Sequence, residues 1–297
     1  MYIWIIWRDK MKKGVIFPQL EIGTDPQIIK EYAQTAEQLG YDHILVYDHV
    51  LGADPRSHPG WNGIYTHKDM FHEVFVLLGY LAAVTTQIEL AMGVLVSPQR
   101  QTALIAKQAA EVDILSKGRF RLGIGVGWNK IEFEGLGENF HNRGKRIEEQ
   151  VHILRALWSK KIVNFEGNWH HIKGSGINPL PVQDKIPIWM GGRSNIVLRR
   201  IAKLADGWFP QYPPNKIMQE KLHDFWRYVN EAGRKRSELG IEARINIGNK
   251  GEKTWLHEVA NWEKLGATHL TLNTMNSHLA LPEDHLKAIK KFKDEIG

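Results

Sequence analysis

Residues 14–47 read GVIFPQLEIGTDPQIIKEYAQTAEQLGYDHILVY, and the periodicity changes twice along them. The run 14–17 is short and aliphatic, as expected of a strand covered on both faces. Thr24 or Asp25 can cap the helix that follows, Pro26 stands in its first turn where no amide hydrogen is required, and Gly40 can stop it. Between those marks Ile28, Ile29, Tyr32, Ala33, Ala36 and Leu39 recur at helical spacing and form one apolar stripe. Residues 43–47 return to a strand. A strand, a one-faced helix and a second strand make a βαβ unit, whose helix crosses over a parallel sheet.

The same alternation runs through the rest of the chain. Further strand candidates at 88–94, 120–126, 186–190, 207–210, 244–248 and 269–272 bring the count to eight. Helices are expected over 70–85, 101–116, 142–158, 194–204, 214–238, 254–264 and 282–295. Eight such units specify a (β/α)8 TIM barrel, the α/β architecture in which parallel strands close on themselves inside a ring of helices. The 297 residues fit one such barrel, read as a single domain over 11–297 with residues 1–10 as an N-terminal extension outside it. Two connections exceed what a βα loop needs. Residues 50–70, after the second strand, lie at the carboxyl face of the barrel, where loops of that length are usually functional. Residues 161–185, before the fifth strand, carry two β-rich stretches around Glu166-Gly167-Asn168 and read as a hairpin insertion.

Composition narrows the chemistry. The apolar fraction of 43% can fill a large core, and the absence of cysteine removes disulfides, thiolate nucleophiles and Cys-ligated metal clusters. Any redox activity must use a dissociable cofactor. The net charge of +6 comes from Lys and Arg interleaved with acids along the helices, which describes a solvated surface. No nucleic-acid partner is expected, although a mild positive field favours an anionic ligand. The opening MYIWIIW is too short to span a bilayer, and its charges follow rather than precede it. It is not read as a signal peptide, no membrane partner is expected, and the expected location is the cytoplasm.

Chemistry in this fold sits at the carboxyl ends of the strands. Gln19, Asp48-His49, Gly93-Val94, Gly125 to Asn129 and Gly191-Gly192-Arg193 fall there. Gly191-Gly192-Arg193-Ser194 follows a strand and opens a helix, so it is either a phosphate cradle of amide groups, helix dipole and Arg193, or a tight turn with a serine cap. The run Gly123-x-Gly125-x-Gly127 is not a Rossmann fingerprint, because Trp128 and Lys130 stand where the third glycine would be needed. His49 can act as a general base or bond a cofactor ring, with Asp48 orienting it, or the two can be a satisfied structural pair. No metal site is expected: His72-Glu73 lacks a second histidine one turn on, and His170-His171 would point apart on a strand. Glu132 and Glu134 come from one segment and read as a solvated helix start rather than a flanking hydrolase pair. Trp61 and Trp128, two of eleven tryptophans, can wall a flat pocket, and most of the others suit the core or an interface.

Three stretches carry a resemblance: 91–98 (AMGVLVSP), 116–129 (SKGRFRLGIGVGWN), and Asn178-Pro179 through Gly191-Gly192 to 206–210 (DGWFP). In these the chain resembles the bacterial-luciferase-like flavin oxidoreductases, and within them the branch that uses the deazaflavin coenzyme F420. The resemblance implies a cis peptide at Gly93-Val94, forming a bulge behind the central ring of the cofactor. It also implies Asp48 and His49 near the ring, Gly125, Gly127, Trp128 and Asn129 beside the ribityl chain and active site, and Gly191, Gly192 and Arg193 at the phosphate. That phosphate position follows the fifth strand, whereas the commonest barrel pattern uses the seventh and eighth. Sugar-phosphate dehydrogenases of the superfamily carry a glutamate where this chain has Trp128, which puts that substrate in doubt. The expected activity is hydride transfer between F420 and a small organic substrate held under the 50–70 loop, with Gln19 and Trp61 in its pocket and His49 as base or proton donor. The alternatives are an FMN-dependent monooxygenase served by a separate flavin reductase, and a barrel that binds flavin without turnover. Relatives are commonly homodimers, and the same is expected here.

Overall fold

A computed structural model describes residues 11–248 and 252–297, so the extension expected at 1–10 lies outside the described residues. Lys12–Ile16 (β1) is buried from Lys13 onward and His43–Val46 (β2) throughout, as strands must be when a lumen lies on one side and helices on the other. The helix between them, Pro26–Gln38 (α1), takes Asp25 as its cap, whose carboxylate accepts from the Gln27 amide at 2.8 Å. Then follow Val74–Val84 (α2), Glu89–Met92 (β3), Leu95–Val96 (β4), Thr102–Leu115 (α3), Phe120–Gly125 (β5), Lys130–Gly135 (α4) and Arg143–Ser159 (α5). Val163–Glu166 (β6) and His171–Ser175 (β7) pair antiparallel. The chain closes with Ile188–Gly191 (β8), Asn195–Leu204 (α6), Gly207–Phe209 (β9), Lys216–Glu231 (α7), Gly240–Asn246 (β10), Glu252–Leu265 (α8), His269–Asn273 (β11) and Pro282–Ile296 (α9).

The sheet runs β3-β2-β1-β11-β10-β9-β8-β5-β4, and a further β3–β5 pairing closes it. β3 and β4 are two pieces of one barrel strand, parted at Gly93-Val94, whose peptide is cis. Eight parallel strand positions therefore surround the lumen, as expected of a (β/α)8 barrel. The helices pack outside, with Tyr32, Leu78, Ile105, Leu154, Ile201, Phe225 and Phe292 fully or almost fully buried. Among the described residues no helix is long and apolar enough to cross a membrane.

Several elements differ from expectation. The helix expected over 214–238 ends at Glu231, because Gly233 turns the chain at φ +71°. The strand expected from 244 begins at Gly240, since Glu242 is buried inside the barrel instead of marking a loop. The short α4 was not anticipated. The β6–β7 hairpin is tied down by His170, whose ring bonds Glu149 of α5 at 2.6 Å and the Thr102 hydroxyl of α3 at 2.6 Å, while His171 turns away to Glu166.

Near the amino ends of the strands the lumen is polar. Glu242 bonds His43 at 2.8 Å, Arg121 and the Thr271 hydroxyl, and Arg121 also bonds Glu89 at 2.7 Å and stacks 4.3 Å from the Trp189 ring centroid. Burial alone would raise the Glu242 carboxyl, but Arg121 and His43 more than reverse this and hold it well below its usual range. Burial, and then the charge of Arg121, press His269 from 6.5 down to about 2. Below about pH 6.5 the unfolded chain therefore takes up a proton that the folded chain refuses. Unfolding free energy from urea titration is expected to fall steadily from pH 6.5 to about 5, a window above the carboxylate range where Asp48, raised by burial, acts in the opposite sense. A flat profile there would show that His269 titrates as it does in the unfolded chain.

Candidate active site

At the carboxyl ends of β3, β5 and β8 the lumen wall is made of glycine. A Cβ on Gly93 would lie 2.4 Å from Leu45 Cδ2, one on Gly125 2.5 Å from Val94 Cγ2, and one on Gly191 3.4 Å from Val94 Cγ1. Those directions are taken by the side chains of Leu45 and Val94, which both line the cleft. Facing that wall, Tyr47, Phe209 and Arg244 complete a cleft that encloses about 430 Å³, part of it open to solvent. Gly127, at φ +72°, turns the chain out of β5, and a Cβ there would sit 2.5 Å from Val96 Cγ1. Asn129 is buried, and its side-chain oxygen has no partner among the described residues.

Beside the cleft stands His49. Its Nδ1 lies 3.1 Å from Glu132 Oε2, and the other oxygen of Glu132 accepts from the Val50 and Leu51 amides at 2.6 and 3.2 Å. Glu132 is 1% exposed, so the solvated helix start expected at this position is corrected: α4 delivers one carboxylate inward, and only Glu134 stays at the surface with Lys130. Burial would raise Glu132, but the hydrogen bond and charge of His49 and the Val50 amide outweigh it and hold the carboxyl below its usual range. An ionised carboxylate only accepts hydrogen bonds. In the neutral ring the hydrogen is therefore assigned to Nδ1, and the lone pair lies on Nε2.

Asp48 does not orient His49, which corrects the second expectation. It accepts from Arg100 at 2.7 Å and from the Val96 amide at 3.0 Å, fastening the end of β2 to β4 just beyond the cis peptide. Burial raises its carboxyl, with Arg100 and Val96 pulling the other way. Around His49 the rings of Phe71, Tyr65 and Trp128 stand edge-on at 4.8, 5.2 and 5.7 Å, and Trp61 lies 6.3 Å from Trp128. His49, Tyr65, Phe71, His67 and Asp69 line a second hollow under the 50–70 loop. Neither Gln19 nor Trp61 lines either hollow. Gln19 is fully buried, and its amide donates to the Tyr47 carbonyl at 2.8 Å.

The turn after β8 is tight and carries the serine cap that the sequence offered for it. Ser194 caps α6 by accepting from the Val197 amide, and Gly192, at φ +143°, brings the backbone so close that a Cβ would lie 2.6 Å from Val197. The Trp208 indole and the Tyr212 hydroxyl fix the turn by donating to the Gly192 and Arg193 carbonyls at 2.8 and 3.0 Å. The Arg193 side chain is exposed. Among the described residues no cluster of three His, Asp or Glu could hold a metal ion.

The family description "Luciferase-like monooxygenase" matches residues 13–280. The chain belongs to this family. Within the luciferase-like proteins it is 35% identical over 197 residues to an uncharacterised protein of Mycobacterium tuberculosis, covering 65% of this chain and 68% of the relative. An FMNH2-dependent dimethylsulfone monooxygenase of Pseudomonas fluorescens is 28% identical over 208 residues, covering 68% and 53%. An F420-dependent glucose-6-phosphate dehydrogenase of Gordonia bronchialis is 29% identical over 191 residues, covering 62% and 52%. The fold matches the coenzyme F420 dependent tetrahydromethanopterin reductase of Methanopyrus kandleri with a TM-score of 0.76 at 16% identity, over 97% of this chain and 98% of the other. The luciferase-like family thus includes enzymes of both cofactor types. Tyr47, Tyr65, Phe71 and Arg244 were not singled out in the sequence; each is an ordinary loop or strand residue until the barrel closes and turns it toward a hollow.

Proposed function

We propose that this luciferase-like protein is an oxidoreductase that moves a hydride between a small organic substrate and the deazaflavin coenzyme F420. The observation that carries the reading is the placement of the His49–Glu132 pair, within an aromatic enclosure, beside a cleft with a glycine wall. The residues fit the cofactor. A flat tricyclic ring needs a smooth apolar face, and at Gly93 and Gly125 the absence of a Cβ leaves room for the Leu45 and Val94 side chains that line the cleft. Val94 would back the ring, Gly127, Trp128 and Asn129 would border its chain, and the α6 amides with Arg193 would hold its phosphate. When bound, the cofactor supplies the hydride acceptor or donor.

The protein's own part is the proton. Oxidation of an alcohol removes a hydride from carbon and a proton from oxygen, and His49 Nε2 is placed to take that proton while Glu132 stabilises the imidazolium that results. Reduction runs the same transfers backwards. Phe71 and Tyr65, which line the second hollow with His49, shield the exchange from water and suit a substrate with an apolar or aromatic body.

A second reading, an FMN-dependent monooxygenase supplied by a flavin reductase, is favoured by the match to the dimethylsulfone enzyme. Equilibrium binding of the purified protein to F420 and, separately, to FMN, followed by fluorescence quenching, separates the two. Preference for F420 with turnover indifferent to oxygen supports hydride transfer; preference for FMN with oxygen-dependent turnover replaces it. Under either reading, Arg193→Ala is expected to weaken cofactor binding by about tenfold while kcat at saturating cofactor is kept. Unchanged affinity would remove Arg193 from the site.

A further inference from the structure

Arg244, two residues beyond Glu242 on β10, lines the cleft and is exposed. Among the described residues its guanidinium has no carboxylate within ion-pair distance. Its hydrogen bond is to the Tyr47 hydroxyl at 3.2 Å. Glu242, the acid nearest to it along the strand, is engaged by Arg121, His43 and Thr271. Tyr47 is held from behind, since the buried Gln19 amide donates to its carbonyl. The other ionisable group near Arg244 is the Tyr65 phenol, from the 50–70 loop. A guanidinium has five N–H donors in a flat fork, and only one direction of this fork is taken up by Tyr47. A guanidinium without a carboxylate partner among the described residues, braced by a phenol in a cleft whose other side is glycine, Val94 and Leu45, suits an anion, and its planarity suits a flat, delocalised one.

We propose that Arg244, steadied by Tyr47, binds the negatively charged form of the cofactor's ring system, separately from the phosphate cradle at Arg193. The inference rests on the flavin-binding reading and adds to it the residue that selects the ring's ionisation state. Such a contact favours the ionised or reduced anionic ring over the neutral one.

The test uses a probe without phosphate, 8-hydroxy-5-deazariboflavin, with riboflavin as the FMN counterpart. Binding to the full chain and its Arg244→Met and Tyr47→Phe variants is followed by absorbance across pH. The bound ring should ionise at lower pH than the free ring in the wild-type protein. In Arg244→Met the ionisation midpoint should return by about one pH unit toward the free value, and affinity for the anion should fall about ten- to hundredfold, with affinity for the neutral ring kept. Tyr47→Phe should show a smaller change of the same sign. Unaltered thermal midpoints establish that the variants are folded, which is expected because Arg244 supports no buried partner other than Tyr47. Wild-type affinity and ionisation in Arg244→Met overturn the proposal. So does a loss confined to KM for an acidic substrate, which would make Arg244 a substrate contact. If the unaltered protein binds neither probe and neither F420 nor FMN, the flavin reading itself has failed.

Discussion

His49→Ala is expected to lower kcat by about a hundred- to ten-thousandfold while cofactor affinity stays nearly unchanged. The geometry sets both halves of that result. Among the described residues His49 bonds to Glu132 and not to the turn before α6, so removing its ring leaves that turn intact. What is lost is a base held by a buried carboxylate, with Nδ1 3.1 Å from Glu132 and its side chain 12% exposed. Imidazole added to the medium should restore part of the activity, because the alanine variant leaves a ring-sized gap beside Phe71 and Tyr65. Glu132→Gln should reduce kcat less than His49→Ala does, with KM for substrate kept, because an amide can still meet the ring but cannot stabilise its charge. Loss of cofactor binding in His49→Ala with normal kcat at saturation would make His49 a cofactor contact and end its role as base.

The second large effect is on stability. Glu242→Ala strands Arg121, 2% exposed, in the barrel with Glu89 as its remaining anion, and removes the partner of His43. Breaking a buried pair from one side costs about 3–5 kcal/mol, because the remaining charge keeps its desolvation penalty without its partner. Urea titration should show that loss. Combining Glu242→Leu with Arg121→Met should recover much of it, since a buried ion pair can be exchanged for apolar packing at little net cost. A Glu242→Ala variant destabilised by less than about 1 kcal/mol would mean that water reaches Arg121 and solvates it.

The barrel was legible because it depends on period. Apolar runs alternating with one-faced helices are local features, and Pro26, Gly40 and the caps mark their ends. The rim positions followed, since a barrel puts its strand ends on one face. The partners did not. Glu132 is 83 residues from His49 and Asp48 is 52 from Arg100 along the chain, and both distances become contacts only when the third and fourth barrel strands stand beside the second. In the sequence, Asp48 beside His49 looks like the pair, yet adjacent residues at a strand end point to opposite sides. The late start given to β10 has a similar cause. An acid in a strand reads as the edge of a loop unless its cation is known, and the cation here, Arg121, lies on a different strand.

The glycine wall bears on how cofactor preference is decided in such a barrel. A surface built from glycine backbone and the side chains of Val94, Leu45 and Ile16 offers contact but no chemical vocabulary: no side chain in it can distinguish a nitrogen from a carbon at the centre of a ring of the same outline. Discrimination between two such rings must be delegated to the perimeter, where Tyr47, Arg244 and the α6 turn carry the polar groups. A change of coenzyme between relatives would then require substitutions at that perimeter and none at Gly93, Gly125 or Gly191.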